Sequence, residues 1–248
     1  MIPNPIRKVL SSIQKHRVRA LLMGGQACVL YGADEFSRDT DLAILANTAN
    51  LKRLQSALHD LRAEVIAIPE FTLAHLKRGH AVHFRCQHPE AARLRVVVMS
   101  RMRGVEPFAK LWKRRTTLTL TDGTVCHVLS LPDFVKAKKT QRDKDWPMIR
   151  RLIEAHYFQN RVKPGAAKIR FWLLELRTPQ LLMDANKQWP GLARSLTRKR
   201  PLLVHAIADN AVELEHALHL EEQVEREKDR KYWEPLKREL ESLRHARP

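Results

Sequence analysis

Cysteine is scarce in this chain: its 248 residues include three, Cys28, Cys86 and Cys126, widely separated and odd in number. That excludes a disulfide framework and predicts buried thiols in a reducing compartment. Glycine is sparse as well, at 8 residues, which argues against collagen-like or low-complexity structure. Long apolar runs are missing. Ala20 to Met23 and Val96 to Met99 fall far short of the roughly 20 residues that a membrane helix needs. The N-terminal stretch MIPNPIRKVLSS also lacks the apolar core of a signal peptide. The expectation is a soluble, cytoplasmic protein with no membrane partner. Acids are the remaining deficit: 27 Asp and Glu stand against 45 Lys and Arg, a formal net charge of +18. A surplus of that size points to a polyanionic partner, RNA or a nucleotide before others, with a solvated basic surface as the plain alternative.

What is present suffices for a folded protein. The apolar fraction is 44%, and the length allows one large domain or two modest ones, each with a core. Over residues 5–16, Ile6, Val9, Leu10 and Ile13 recur at helical spacing. Val18 to Met23 reads as a buried strand ending at Gly24-Gly25, followed by a short helix over 26–31 that Gly32 stops. Asp41 to Leu45 reads as a second strand. Asn50 is a candidate cap for a helix carrying Leu51, Leu54, Leu58 and Leu61. Residues 81–86, 93–99 and 116–128 read as strands, the last a hairpin turning at Asp122-Gly123. Ser130-Leu131-Pro132-Asp133 then marks a helix start.

Beyond about residue 145 strand signals stop and helical spacing continues to the end, with a break at Val162-Lys163-Pro164-Gly165. A charged helix with Glu222–Arg226 and Glu227–Lys231 pairs is predicted from Leu214, interrupted by Pro235. The fold class expected is α+β: a mixed sheet flanked by helices over residues 1–155, then an all-α C-terminal domain over 156–248.

The chemistry concentrates between Leu21 and Ile44, where strand, glycine pair, short helix, loop and strand follow in order. A glycine pair after a strand lets the backbone approach a phosphate closely. On the second strand Asp39 and Asp41 are two residues apart, so both project from one face. Two adjacent carboxylates repel unless a cation lies between them, and Mg²⁺, which takes oxygen ligands and substrate phosphates, suits that position. The plain alternative has Asp39 capping a turn and Asp41 paired with Arg38 or a nearby lysine.

Gly24-Gly25, thirteen residues, then Asp39-Thr40-Asp41 resembles the signature of the nucleotidyltransferase (DNA polymerase beta) superfamily. Ser37 falls where many small prokaryotic members carry Ser or Thr. Lys138 to Asp145 is similar to their lysine-rich element after the sheet, so that the resemblance covers about residues 15–155. It implies that Gly24, Gly25 and Ser37 contact phosphate, that Asp39 and Asp41 bind Mg²⁺ with an NTP, and that a nucleoside monophosphate passes to a hydroxyl. The family's third acid lies on a neighbouring central strand. Here that strand reads Arg95-Val96-Val97-Val98-Met99, with Val97 where the carboxylate is expected. A catalytically degenerate nucleotide- or RNA-binding module on the same fold is therefore the alternative. The net charge favours RNA or tRNA over a cationic antibiotic as acceptor.

Other clusters are weaker. His80, His83, Cys86 and His88 invite a zinc reading but match no common ligand spacing. Lys138, Lys139 and Arg142 suit a triphosphate or RNA backbone, or else a solvated helix face. Arg93, Arg95, Arg101 and Arg103 form a second basic stretch in which Arg95 shares a face with Val97. Trp112, Trp146, Trp172 and Trp189 are expected in the core, with base stacking as the alternative for one of them.

Overall fold

The computed structural model describes residues 3–33 and 39–246. Helix α1 (Asn4–Lys15) buries Ile6, Val9, Leu10 and Ile13, the residues whose spacing predicted it. Strand β1 (Ala20–Met23) passes directly into α2 (Gly24–Leu30), and the reversal is made at Gly24, whose φ is 66°. Past α2, the Tyr31 hydroxyl donates to the Leu129 carbonyl at 2.8 Å and meets Thr116 Oγ1 at 2.8 Å, tying this helix to the far hairpin. Strand β2 spans Asp39–Ile44.

Helix α3 (Thr48–Asp60) starts earlier than Asn50. Its cap is Asn47, whose Oδ1 accepts from the Asn50 N–H at 2.8 Å. Asn50 is instead buried, accepting from Arg19 N at 2.7 Å and donating to the Arg19 and Leu45 carbonyls at 3.1 and 2.9 Å. It pins the start of β1 beside the end of β2, a use of a polar side chain that only the tertiary fold reveals.

There follow β3 (Ala63–Val65), α4 (Leu73–Arg78), β4 (Val82–Cys86), β5 (Arg95–Met99), α5 (Phe108–Arg114), β6 (Thr116–Thr119) and β7 (Val125–Val128). The β6–β7 turn is the expected one: Gly123 has φ 80°, and Asp122 Oδ1 accepts from Thr124 N at 2.9 Å. Helix α6 (Leu131–Lys138) begins after Ser130, whose Oγ accepts from Asp133 N at 3.4 Å and donates to its carboxylate at 2.7 Å. Arg114 closes on the same carboxylate with two hydrogen bonds, at 3.0 and 2.9 Å.

The seven strands form one mixed sheet in the order β3-β4-β5-β2-β1-β7-β6. β2 runs antiparallel to β1 and parallel to β5, and β1 runs parallel to β7. One face carries Thr40, Leu42, Ile44, Val96, Val98, Val82 and Phe84, all at 2% exposure or less. Strand alternation leaves Asp39, Asp41, Arg95, Val97 and His83 on the other face. The central strands thus turn a buried apolar face to one side and carry Asp39 and Asp41 among apolar residues on the other, in an α+β arrangement.

After α6 the described chain is helical only: α7 (Asp145–Asn160), α8 (Ala166–Glu175), α9 (Pro179–Gln188), α10 (Pro190–Leu196), α11 (Leu203–Ile207) and α12 (Ala211–His245). Two compact units result, Met1–Ala137 with Tyr232–Pro248, and Lys138–Lys231. The boundary expected at residues 155 and 156 falls within α7. The second unit packs around Trp172, fully buried against Tyr157 and Trp189, with its indole N–H on His156 Nδ1 at 2.9 Å.

Pro235 does not end α12. The proline removes one hydrogen bond, to the carbonyl of Lys231, and the division between the units falls at that residue. The last turns are held within the first unit by Glu239, which accepts from Arg78 at 2.7 Å and lies 2.8 Å from buried His80. Among the described residues no helix is long and apolar enough to cross a membrane.

Candidate functional site

The site is assembled where β1 becomes α2. Met23 pairs with Asp41 across the antiparallel β1–β2 ladder, so the chain that turns at Gly24 passes directly beside the Asp41 side chain. A Cβ built on Gly24 would lie inside the Asp41 carboxylate, 2.6 Å from its Cγ. Gly24 is therefore required twice, by its left-handed φ and by the approach of Asp41. Gly24 and Asp41, which the sequence groups in one spaced motif, meet in space; Gly25 is buried at the same turn. Ser37 lies outside the described residues, as does Arg38.

Asp39 and Asp41 are both half-buried on the open face of β2. In the parallel β2–β5 ladder Asp39 is in register with Arg95 and Asp41 with Val97. Arg95 hydrogen-bonds the Asp39 carboxylate, with side-chain exposures of 47% and 28%. This bond, with the field of Asp41 behind it, raises the Arg95 pKa and keeps the guanidinium charged. The sequence placed Arg95 on this face but did not pair it with Asp39; the in-register crossing from β2 to β5 would have been the signal.

Val97 is 7% exposed and stands directly beside Asp41. The next residue across, on β4, is His83, in register with Val97. Burial lowers the His83 pKa, Arg95 lowers it further, and Asp39 opposes both. His83 is accordingly a neutral imidazole at pH 7, two strand spacings, or about 10 Å, from β2. Among the described residues no group of three or more His, Cys, Asp or Glu side chains is arranged to hold a metal. The donor set fits one divalent cation sharing its shell with substrate oxygens, since Mg²⁺ often takes one or two carboxylates. It does not fit a pair of ions, because Val97 offers no oxygen.

The zinc cluster is dispersed. His80 precedes β4 and is bonded to Glu239, His83 faces the acids, Cys86 is buried on the opposite side, and His88 accepts from Glu90 N. Burial pushes the Cys86 thiol up to about 11.

The basic residues after the sheet have carboxylates close at hand. Lys138 Nζ lies 2.8 Å from Asp145, Lys139 Nζ 2.6 Å from Glu175, and Arg142 Nε 3.4 Å from Asp145. Lys138 and Lys139 are largely buried in these pairs while Arg142 is exposed. Lys139 and Arg142 belong wholly to the second unit, and Lys138 is its first residue.

The sequence matches no family model and no curated protein. Among solved structures, the chain is similar to antibiotic-resistance factor ANT(2'')-Ia, whose solution structure is described as showing substrate-regulated conformation dynamics. The identity is 14%, the match covers 87% of this chain and 95% of that one, and the TM-score is 0.36. A likeness at that level transfers no residue roles.

Proposed function

We propose that this chain is a nucleotidyltransferase-like protein that binds a nucleoside triphosphate with one Mg²⁺ at Asp39 and Asp41 and passes a nucleoside monophosphate to a hydroxyl, RNA being the favoured acceptor. The observation that carries this reading is the seating of the Asp41 carboxylate against Gly24, where no side chain fits. A carboxylate pair and a backbone stripped of side chains at one turn suit a phosphate-bound cation better than a structural ion pair.

When bound, the Mg²⁺ would offset charge on the phosphate oxygens. The chain's own groups supply the rest. Asp39 and Asp41 would hold the cation; Gly24 leaves room for the Asp41 carboxylate, and Gly25 would offer backbone to phosphate. Arg95, exposed beside Asp39, would offer its guanidinium to a phosphate oxygen. His83, in register with Val97 on the side away from Asp41, would be the proton acceptor that does not hold the cation.

The protein should be incubated with each labelled NTP, Mg²⁺ and total cellular RNA. Labelled RNA that disappears with Asp39→Asn/Asp41→Asn supports the proposal; label that persists in the double variant overturns it.

A second reading has its own observation. Val97 beside Asp41, together with Arg95 on Asp39, describes a site that has lost its base and carries a resident cation. On that reading the protein binds Mg²⁺–NTP or RNA without turnover, and Val97→Asp confers transfer that the wild type lacks.

A further inference from the structure

A cavity of about 490 Å³ lies at the starts of β1 and β7, the end of these strands away from Gly24. Its floor is apolar, built from Leu10 of α1, Leu22 of β1 and Leu42 of β2, each 3% exposed or less. Register shows that residues of both faces contribute: Leu22 pairs with Leu42 and with Val128, whereas His127 alternates with Val128. The rim is different in kind. Arg17 and Arg19 enter it from the turn before β1 and Arg53 from α3, all three exposed, and among the described residues no carboxylate lines the cavity.

None of these arginines forms an ion pair among the described residues. Arg53 Nη1 reaches the Arg17 carbonyl at 3.5 Å, and the Arg19 guanidinium lies 6.0 Å from the Trp112 ring. Three guanidinium groups around one opening repel one another, and an anion seated among them removes that repulsion. The wall opposite is fixed: Arg115 stacks on Trp112 at 4.2 Å and donates to its carbonyl at 2.6 Å. Gln14 is held through its Oε1, which accepts from Val125 N at 2.9 Å, leaving its amide donors to the cavity. His127 lines the same side, and burial with the nearby Arg115 lowers its pKa, so its ring is neutral.

From this arrangement we infer a second binding site, for a nucleoside phosphate, either free or as one unit of a single RNA strand. The volume is that of small-ligand pockets, which run about 300–1,000 Å³. Guanidinium forks match phosphate oxygens two at a time. The apolar floor takes a flat ring, while Gln14 and His127 supply hydrogen bonds that a heteroaromatic edge satisfies and an acyl chain does not. The site is independent of the carboxylates and needs no metal.

The test is equilibrium binding of AMP, of a short single-stranded RNA and of inorganic phosphate, all in EDTA so that metal-dependent binding at Asp39 and Asp41 is silent. The wild type binds AMP or the RNA more tightly than inorganic phosphate. AMP alone identifies the free nucleotide as ligand, and RNA alone identifies the strand. Arg19→Glu/Arg53→Glu weakens binding by about tenfold or more, the scale of a lost charge-assisted hydrogen bond. Asp39→Asn/Asp41→Asn leaves it unchanged. Because charge reversal weakens any polyanion, Lys77→Glu/Arg93→Glu, exposed and outside the cavity, serves as the matched control. Arg53→Ala, conservative on an exposed helix face, repeats the test where folding is not at issue. The inference is overturned if neither ligand binds in EDTA, if inorganic phosphate binds as well as AMP and the RNA, or if the control and the cavity variants weaken binding equally.

Discussion

At Gly24 two independent demands meet: a φ of 66° and a neighbour, Asp41, in the space a side chain would occupy. Gly24→Ala should therefore cost about 1–2 kcal/mol from the left-handed backbone alone, and it should also displace the Asp41 carboxylate. Thermal unfolding reads the first effect and Mg²⁺–NTP binding the second; a variant as stable and as competent as the wild type contradicts the geometry. Val97 offers the opposite experiment. Val97→Asp places a carboxylate in register with Asp41, so the variant should be less stable without metal, from like-charge repulsion, and regain that loss when Mg²⁺ is added. Melting curves with and without Mg²⁺ check this, and a metal-insensitive variant contradicts the placement. Of these residues, Asp39 and Asp41 were legible in the sequence because strand alternation alone puts them on one face. The pairing of Asp39 with Arg95 was not, since it depends on the register between strands far apart in the chain.

In the helical unit, the elements are joined by an ionic cluster. Arg200 Nη2 and Arg177 Nη1 each lie 2.9 Å from Glu221 Oε2, and the two arginines are almost completely buried. Burial works against the ionised Glu221, but Arg200 and Arg177 outweigh it and hold the carboxyl at about 2. A depressed carboxyl stabilises the fold above its ordinary value of 4.5, and the contribution is lost as pH falls toward about 2. Glu221→Gln should then destabilise this unit by about 3 kcal/mol or more, because it strands two buried guanidinium groups. It should also flatten the acid limb of a stability–pH curve, measured by urea unfolding; an unchanged limb assigns the acid sensitivity elsewhere. Helices such as α1 and α3 were legible from apolar spacing. β3, α4 and α5 were not, being too short for periodicity to register. Pro235 misled because α12 runs on through it, and Glu239 beyond it finds Arg78 and His80, partners distant in sequence.

Over the whole molecule, the formal charge of +18 sets the expected behaviour toward polyanions. RNA binding should fall on the order of 10³-fold between about 50 and 200 mM salt if six or more phosphates are contacted. Filter binding across that range checks it, and a salt-insensitive affinity contradicts an electrostatic partner. The change from mixed to purely helical structure was legible in composition. The return of residues beyond Tyr232 to the first unit was not, because Glu239 finds Arg78 and His80 only in three dimensions. The central claim is that Gly24, Asp39 and Asp41 together form a platform for a metal-bound triphosphate. Calorimetric titration of NTP, with and without Mg²⁺, into wild type and Asp39→Asn/Asp41→Asn tests it most directly. Binding should depend on Mg²⁺ and be lost in the double variant; equal binding by both proteins, or none by the wild type, would overturn the platform.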